Sequence, residues 1–230
     1  MNNETQEKLL HIVKDNYNET ALDWDKSRKN LVWPELANLV KRVIPGAKVL
    51  DIGCGNGRLL NILQDKIPPQ DYLGVDVSAN LVSLAKNNWP NYNFITADVL
   101  SLTDKEIGRF DFIFSIAMLH HLPGRDLQIK TLKILAEKLE VGGSLIISVQ
   151  NFWSRRKYLK LLLKFSWRKI FAHEKIDFGD IIFPGFKNKS PRYYHIFTTA
   201  GLKKISRQAN LKIIKLYKDK FNYYLILRKN

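Results

Sequence analysis

The stretch DIGCGNGR, Asp51 to Arg58, constrains this chain more than any other. It follows the apolar run KVLDI and precedes an amphipathic segment, so it reads as the turn between a strand and a helix. Gly53, Gly55 and Gly57 give G-x-G-x-G. Glycine at such a turn lets the backbone fold tightly and approach a ligand closely. Around it, short apolar strands alternate with amphipathic helices. Strands are predicted at 48–53, 72–76, 92–98, 110–116 and 144–150. Helices are predicted at 56–65, at 78–88 with Ser78 as N-cap, and at 126–140. The last has Leu127, Leu132, Leu135 and Leu139 as its buried stripe and ends at Gly142-Gly143. This alternation predicts βαβ units and a parallel sheet covered on both faces.

The alternation fails at both ends of the chain. The first 45 or so residues read as helical, with Leu9, Ile12, Val13 and Tyr17 at helical spacing. Near the other end, helix 198–209 precedes LKIIKLYK and NYYLILRK, with only Asp219–Phe221 between them. That link is too short for a parallel crossover, so the final strands should be antiparallel. The expectation is one doubly wound α/β domain over 1–230, with a mainly parallel seven-stranded sheet and an antiparallel C-terminal strand. Residues 1–45 form a helical cap, 46–150 a ligand-binding half, 151–197 a specificity insertion, and 198–230 the final helix and hairpin.

The glycine turn excludes some ligands. A dinucleotide fingerprint needs glycine at 58, where this chain has Arg58, and the lysine of a phosphate-binding loop is missing. Downstream, Asp76 ends the second strand 19 residues after Gly57, where a carboxylate can accept both hydroxyls of a ribose. Asp98 ends the third strand. These positions share the carboxyl ends of parallel strands, where open α/β sheets bind ligands.

Composition narrows the class. At 45% hydrophobic residues the chain can bury a core, which excludes wholesale disorder. Its apolar runs are strand-sized, well short of the ~18 residues of a membrane span. The polar N-terminus lacks the features of a signal peptide. The single cysteine, Cys54, cannot form an internal disulfide or a structural zinc site. A cytoplasmic protein without a metal site is expected. The net charge of +15 is segregated: residues 1–150 hold 17 basic and 18 acidic residues, and residues 151–230 hold 20 basic and 4 acidic. Such a split suggests a face for a polyanion, either nucleic acid or an anionic membrane surface.

In order along the chain, VLDIGCGNG, GVDVS, TADV and FDFIFSIAMLHHL resemble the four motifs of class I S-adenosylmethionine-dependent methyltransferases. The resemblance covers roughly residues 45–150 and 211–230. It implies S-adenosyl-L-methionine as cofactor and S-adenosyl-L-homocysteine as product. Asp51, Gly53, Cys54, Gly55 and Gly57 would form the loop under the methionine part. Asp76 would hold the ribose hydroxyls and Asp98 the adenine amine, with Val77 and Val99 packing the ring. Ile116 and Ala117 would line the floor below the sulfonium, with His121 beside the cofactor. Tyr17 and Arg28 would close over it, Arg28 on its carboxylate.

The methyl acceptor decides which further side chains are needed. A pyrimidine C5 acceptor requires a cysteine nucleophile, and Cys54 lies inside the cofactor loop. An exocyclic amine calls for Asn/Asp-Pro-Pro-aromatic, where this chain reads SIAMLHHLP. An alcohol or phenol needs a general base, for which His120 and His121 are candidates. A carboxylate needs only an orienting cation such as Arg192. The flanks YNETALDWDKSRKNLVWP (17–34), GDIIFPGF (179–186) and PRYYHIF (191–197) resemble the tRNA methyltransferases that esterify a carboxymethyl group on the wobble uridine. The chain departs from that pattern at Gly185, where Trp commonly follows Pro, and in TTAGL after the tyrosines. The resemblance implies a tRNA substrate, with Tyr193, Tyr194 and His195 among the residues that bind it; Arg192 would orient the acceptor carboxylate, and whether a small zinc-binding activator protein is needed, as in eukaryotic relatives, stays open.

The basic third fits a tRNA partner. Lys157, Lys160, Lys164 and Arg168 fall at three- and four-residue spacing as one cationic stripe, with Leu161, Leu162 and Phe165 facing elsewhere. Arg155, Arg156, Lys187, Lys189, Lys203, Lys204 and Arg207 extend the surface, and Trp153, Trp167 or Phe186 could stack on an unpaired base. Rival readings are a solvated helix face and a peripheral membrane helix presenting a lipid-soluble substrate such as a quinone precursor. Others are a small-molecule O-methyltransferase with His121 as base, and a non-catalytic module binding cofactor and RNA.

Overall fold

The structure is a computed structural model that describes residues 1–171, 175–185 and 190–229. Its main sheet has seven strands in the order β3-β2-β1-β4-β5-β9-β8. They are β1 (Val49–Ile52), β2 (Tyr72–Asp76), β3 (Asn93–Thr96), β4 (Phe110–Ile116), β5 (Leu139–Gln150), β8 (Leu211–Lys218) and β9 (Asn222–Lys229). Strands β1 to β5 pair in parallel, and β9 runs antiparallel to both β5 and β8. Leu50, Ile113, Leu145, Ile147 and Leu227 are fully buried on one face of this sheet, while Val49, Phe114, Ile146 and Tyr224 are buried on the other. The near-continuous apolar runs follow from having both faces covered.

The helices are α1 (Asn3–Arg28), α2 (Pro34–Val40), α3 (Leu60–Leu63), α4 (Ala79–Asn88), α5 (Arg125–Glu137), α6 (Arg156–Phe171) and α7 (Thr199–Gln208). Ser78 caps α4 as expected, its hydroxyl accepting from Leu81 N–H at 3.2 Å. Helix α3 is much shorter than the predicted 56–65. Gly53, Gly55 and Gly57 all have positive φ, so the chain stays in turns up to Leu59. Helix α5 ends at Glu137 rather than at Gly142-Gly143. Those glycines lie inside β5, where the register with β4 jumps from Phe110–Leu139 to Phe112–Ser144 and Gly142 takes φ +80°. They make a bulge.

The 151–197 segment has its own architecture. Helix α6 packs over a two-stranded antiparallel sheet of β6 (Asp180–Phe183) and β7 (Arg192–His195). Phe165, Ile181, Phe183, Tyr193 and Tyr194 form a satellite core there with Leu9 and Val13 of α1. Polar contacts also fasten α1 across the carboxyl edge of the main sheet. Gln6 donates to Asp126, Asn16 to the Ser190 carbonyl, and Asn18 accepts from the Ser78 hydroxyl at 2.7 Å.

Candidate active site

A cavity of about 510 Å³ opens at the carboxyl ends of β1, β2 and β4. Its floor is Gly53 to Gly55, Asp76, Val77, Asp98, Val99, Ile116 and Ala117, its roof is α1, and Arg192 and Tyr194 of β7 form a side wall.

The glycines divide the work. A Cβ on Gly53 would sit 2.7 Å from the Met118 side chain, and one on Gly57 would sit 2.8 Å from Trp89 and 3.0 Å from Phe94. Gly57 therefore serves the packing of the turn and does not line the cavity, whereas Gly53 and Gly55 do both. Asp76 is anchored by the loop: its two oxygens accept from the N–H groups of Gly55 and Ser78, each at 2.9 Å. Burial raises its pKa against the pull of those bonds. Asp98 accepts from Leu100 N–H at 2.8 Å while lining the cavity. Ala117 adopts φ +57°, rare for a residue with a Cβ, and its N–H donates to the Ser148 carbonyl at 3.0 Å. A strained backbone at the end of a central strand is a common mark of a functional site.

Asp51 lies deeper. Burial raises its pKa to about 7, opposed by the Tyr72 hydroxyl donating at 3.0 Å and by Arg58. Cys54 is buried with its pKa pushed well up by desolvation, so it is an inert packing thiol.

His121 is committed on both ring nitrogens. Nδ1 lies 3.3 Å from the Tyr193 carbonyl, which can only accept, so Nδ1 carries the proton. Nε2 then accepts from the Tyr17 hydroxyl at 2.8 Å. Burial first, with Arg192 adding, lowers the His121 pKa to about 4, so the ring is neutral at pH 7. Burial raises the Tyr17 pKa, so its hydroxyl stays protonated. His120 is fully buried, its pKa far below the usual histidine range through desolvation.

The Arg-Tyr-Tyr-His run splits by the two-residue period of a strand. Arg192 and Tyr194 face the cavity. Tyr193 is 1% exposed, and its hydroxyl donates to Asp180 at 2.7 Å. His195 Nδ1 also lies 2.7 Å from Asp180, on the opposite side of β7. The structure thus places Arg192 and Tyr194 on one side of β7 and His195 on the other, with Tyr193 buried. Arg192 Nε is buried with no hydrogen-bond partner among the described residues.

Among the cavity residues that the sequence did not single out are Trp24 and Arg58. Trp24 and Arg58 face each other, with the Arg58 guanidinium 5.1 Å from the Trp24 ring and 5.2 Å from that of Trp33. Burial lowers the Arg58 pKa to about 10, with Arg28 adding. Trp24 follows Tyr17 by seven residues and precedes Arg28 by four on the same helix, and that spacing was the available signal. Tyr17 and Arg28 both line the cavity as expected, and Arg28 also lies over Trp24 at 5.5 Å.

None of Arg155, Arg156, Lys157, Lys160, Lys164 and Arg168 lines the cavity. The first five are exposed and Arg168 is half-buried. Leu161 and Leu162 are half-buried and Phe165 is buried against the satellite core, as the spacing predicted. Leu163, Trp167, Ile170 and Phe171 are exposed. Lys203, Lys204 and Arg207 are exposed on α7. His173, Phe186, Lys187 and Lys189 lie outside the described residues. Among the described residues no group of histidine, cysteine and carboxylate side chains could hold a metal ion. No helix among them is long and apolar enough to cross a membrane.

This sheet order, with a glycine turn after β1 and a buried carboxylate ending β2, defines a class I S-adenosylmethionine-dependent methyltransferase. The chain belongs to the methyltransferase-domain family, whose model matches residues 15–216. It is 33% identical over 159 residues to the tRNA (carboxymethyluridine(34)-5-O)-methyltransferase of Saccharomyces cerevisiae, an alignment spanning 68% of this chain but only 55% of that protein. The Schizosaccharomyces pombe enzyme of the same name is 27% identical, with 99% of each chain covered. The solved complex between the Haloferax volcanii Trm112 methyltransferase activator and its methyltransferase matches with a TM-score of 0.66 at 17% identity, over 95% of this chain and 100% of that one.

Proposed function

We propose that this protein transfers a methyl group from S-adenosylmethionine to the carboxylate of a carboxymethyl-type uridine in a tRNA anticodon. The observation that carries the reading is Arg192. A guanidinium with a buried, unpartnered Nε lies in the same cavity as the glycine turn and Asp76. The names of the fungal relatives support it.

The residues present fit the cofactor. Asp76 is fixed by two backbone N–H groups and retains acceptor capacity for a ribose. Gly53 and Gly55 leave the room that a side chain would fill. Asp98, Val77 and Val99 line the portion suited to an adenine, and Arg28 and Arg58 bring positive charge suited to a carboxylate. When bound, S-adenosylmethionine supplies an electrophilic methyl on a sulfonium sulfur. Arg192 would hold the acceptor carboxylate through charge-assisted hydrogen bonds. An ionised carboxylate has no proton to lose, so no general base is needed. His121 instead acts as a positioning residue that holds the Tyr17 hydroxyl over the cavity, since its only lone pair is occupied. Helix α1 excludes water and fixes the approach.

On this reading residues 151–197 form the acceptor-recognition insertion, and Arg155, Arg156, Lys157, Lys160, Lys164 and Arg168 contact phosphates. The setting is the cytoplasm, and the activator complex of the Haloferax volcanii neighbour supports a small activator protein as partner. The exposed Leu163, Trp167, Ile170 and Phe171 beside this cationic stripe favour a second reading, a peripheral membrane helix and a lipid acceptor. One experiment tests both. Labelled cofactor is incubated with tRNA, small molecules and lipids in parallel, with and without an activator of the Trm112 type. A base-labile label on a wobble uridine is expected. Label confined to lipid would refute the tRNA reading.

A further inference from the structure

Strand β7 has a second side. Beyond it lies another cavity, of about 300 Å³, which shares no lining residue with the first. Its walls include Trp153, Phe178 and Phe197, with His195, Ser166 and Arg125 among its polar groups. Trp153 is 42% exposed and Phe178 is 58% exposed, so two aromatic rings stand open to solvent at one small cavity. Both are held in place. The Trp153 indole N–H donates to the Phe197 carbonyl at 2.8 Å, which leaves its ring faces for stacking. Phe178 carries the Lys169 ammonium 5.3 Å from its ring.

The histidine is equally fixed. Nδ1 of His195 is 2.7 Å from the fully buried Asp180 carboxylate, and the ring meets Phe197 edge-on at 4.7 Å. A Cβ on Gly179 would come within 2.9 Å of the imidazole, so glycine there gives the ring its place. With Nδ1 committed, Nε2 is the atom left to a ligand, presented in one orientation.

Aromatic faces with a few oriented polar groups and a nearby guanidinium suit a nucleotide: a planar base, hydrogen-bonding edges and a phosphate. The surrounding residues 151–230 hold 20 basic and 4 acidic residues, which favours a polyanion over a neutral metabolite. We propose that this cavity is a second RNA subsite, which captures an unpaired nucleotide near the one methylated. Trp153 and Phe178 would stack on the base, His195 would hydrogen-bond its edge, and Arg125 would meet a phosphate. The inference rests on the tRNA reading for its link to the acceptor, but not for RNA binding itself.

The wall between the cavities joins them. Asp180 also accepts from the Tyr193 hydroxyl, the Tyr193 carbonyl holds His121, and His121 holds Tyr17 over the first cavity. A nucleotide on His195 would therefore lean on the same framework that orders the active site.

The test is equilibrium binding of a fluorescently labelled single-stranded RNA oligonucleotide to the full chain, without turnover. Phe178→Leu and Trp153→Leu should each weaken binding by about five-fold to a hundred-fold, the range of one base–aromatic stack. Cofactor affinity should not move. Arg125→Gln should instead lower the salt dependence by about one phosphate contact. Ile44→Ser, at an exposed apolar residue between α2 and β1 that lines neither cavity, controls for loss of an exposed apolar side chain and should bind as the parent does. Because Trp153 anchors a backbone carbonyl, Phe178→Leu is the decisive variant. Parent-like RNA affinity in folded Phe178→Leu, or no RNA binding by the parent, would overturn the subsite. RNA binding that needs Phe178, together with no methyl transfer to tRNA, would uphold the subsite and reject the proposed acceptor.

Discussion

Arg192→Ala separates acceptor recognition from everything else the cavity does. Arg192 Nε has no hydrogen-bond partner among the described residues, and the rest of the guanidinium interacts with the buried Tyr194 hydroxyl, so deleting it costs the protein that one neutral contact. Folding stability should then change far less than for a buried ion pair, where removing one partner costs about 3–5 kcal/mol. The cofactor side should also be untouched, because Asp76 is fixed by Gly55 and Ser78. The loss should fall on the acceptor. A hydrogen bond to a charged group contributes about 1.5–3 kcal/mol. A guanidinium fork making two such bonds, discounted for overlap, gives about 3 kcal/mol, or on the order of a hundred-fold in kcat/KM. Arg192→Lys keeps the charge without the fork and should lose less. The assay pairs calorimetric cofactor binding with methyl transfer to an undermethylated tRNA. Parent-like kcat/KM in Arg192→Ala would refute the assignment of Arg192 to the acceptor carboxylate. Equal losses of cofactor binding and turnover would show that Arg192 acts on the cofactor instead.

Other outcomes follow from the same geometry. Asp76→Asn should sharply weaken cofactor binding, because an amide NH₂ would meet a backbone N–H where the carboxylate now accepts two; titration calorimetry would detect it. Gly57→Ala should destabilise the fold by roughly 1–3 kcal/mol or more, since its Cβ would lie 2.8 Å from Trp89 at a φ of +78°; denaturant unfolding measures this. The pH dependence of stability has two opposed parts. His121, lowered to about 4 by burial, binds its proton more readily when unfolded, so its contribution is lost as pH falls from about 6.5 towards 4. His120 acts in the same sense. Asp51, raised to about 7 by burial, holds a proton in the folded state, so its contribution is lost as pH rises from about 4 through 7. Asp51→Asn should remove the Asp51 share of that second part, leaving the share of Asp76, whose pKa burial also raises, and stability should rise more steeply between pH 4 and 6.5. An unchanged pH profile in Asp51→Asn would reject the raised Asp51 pKa.

Much of the catalytic half was legible because its signals are local. A strand period, a helix period and a glycine at positive φ are properties of a few adjacent residues, and the βαβ order fixes which strand ends meet. Asp51, Gly53, Gly55, Asp76, Asp98, Ile116 and Ala117 therefore came out on one edge. The misread helix ends have a local cause too. Gly142-Gly143 carries the same signature as a helix stop and a strand bulge, and only the pairing of β5 with β4 decides between them.

The sequence by itself determined the sheet, the carboxyl edge that binds a ligand, the chemistry of the glycine turn and the cationic excess of the last third. Tertiary structure alone decided what that edge faces. It laid α1 over the cavity, so that Tyr17 met His121 across 104 positions. It stacked Arg58 between Trp24 and Trp33, and folded β6 against β7 so that Arg192 and Tyr194 turned towards the cavity and His195 away from it. Contacts between distant segments depend on which surfaces pack, and packing is a property of the whole chain. No window of neighbouring residues records it.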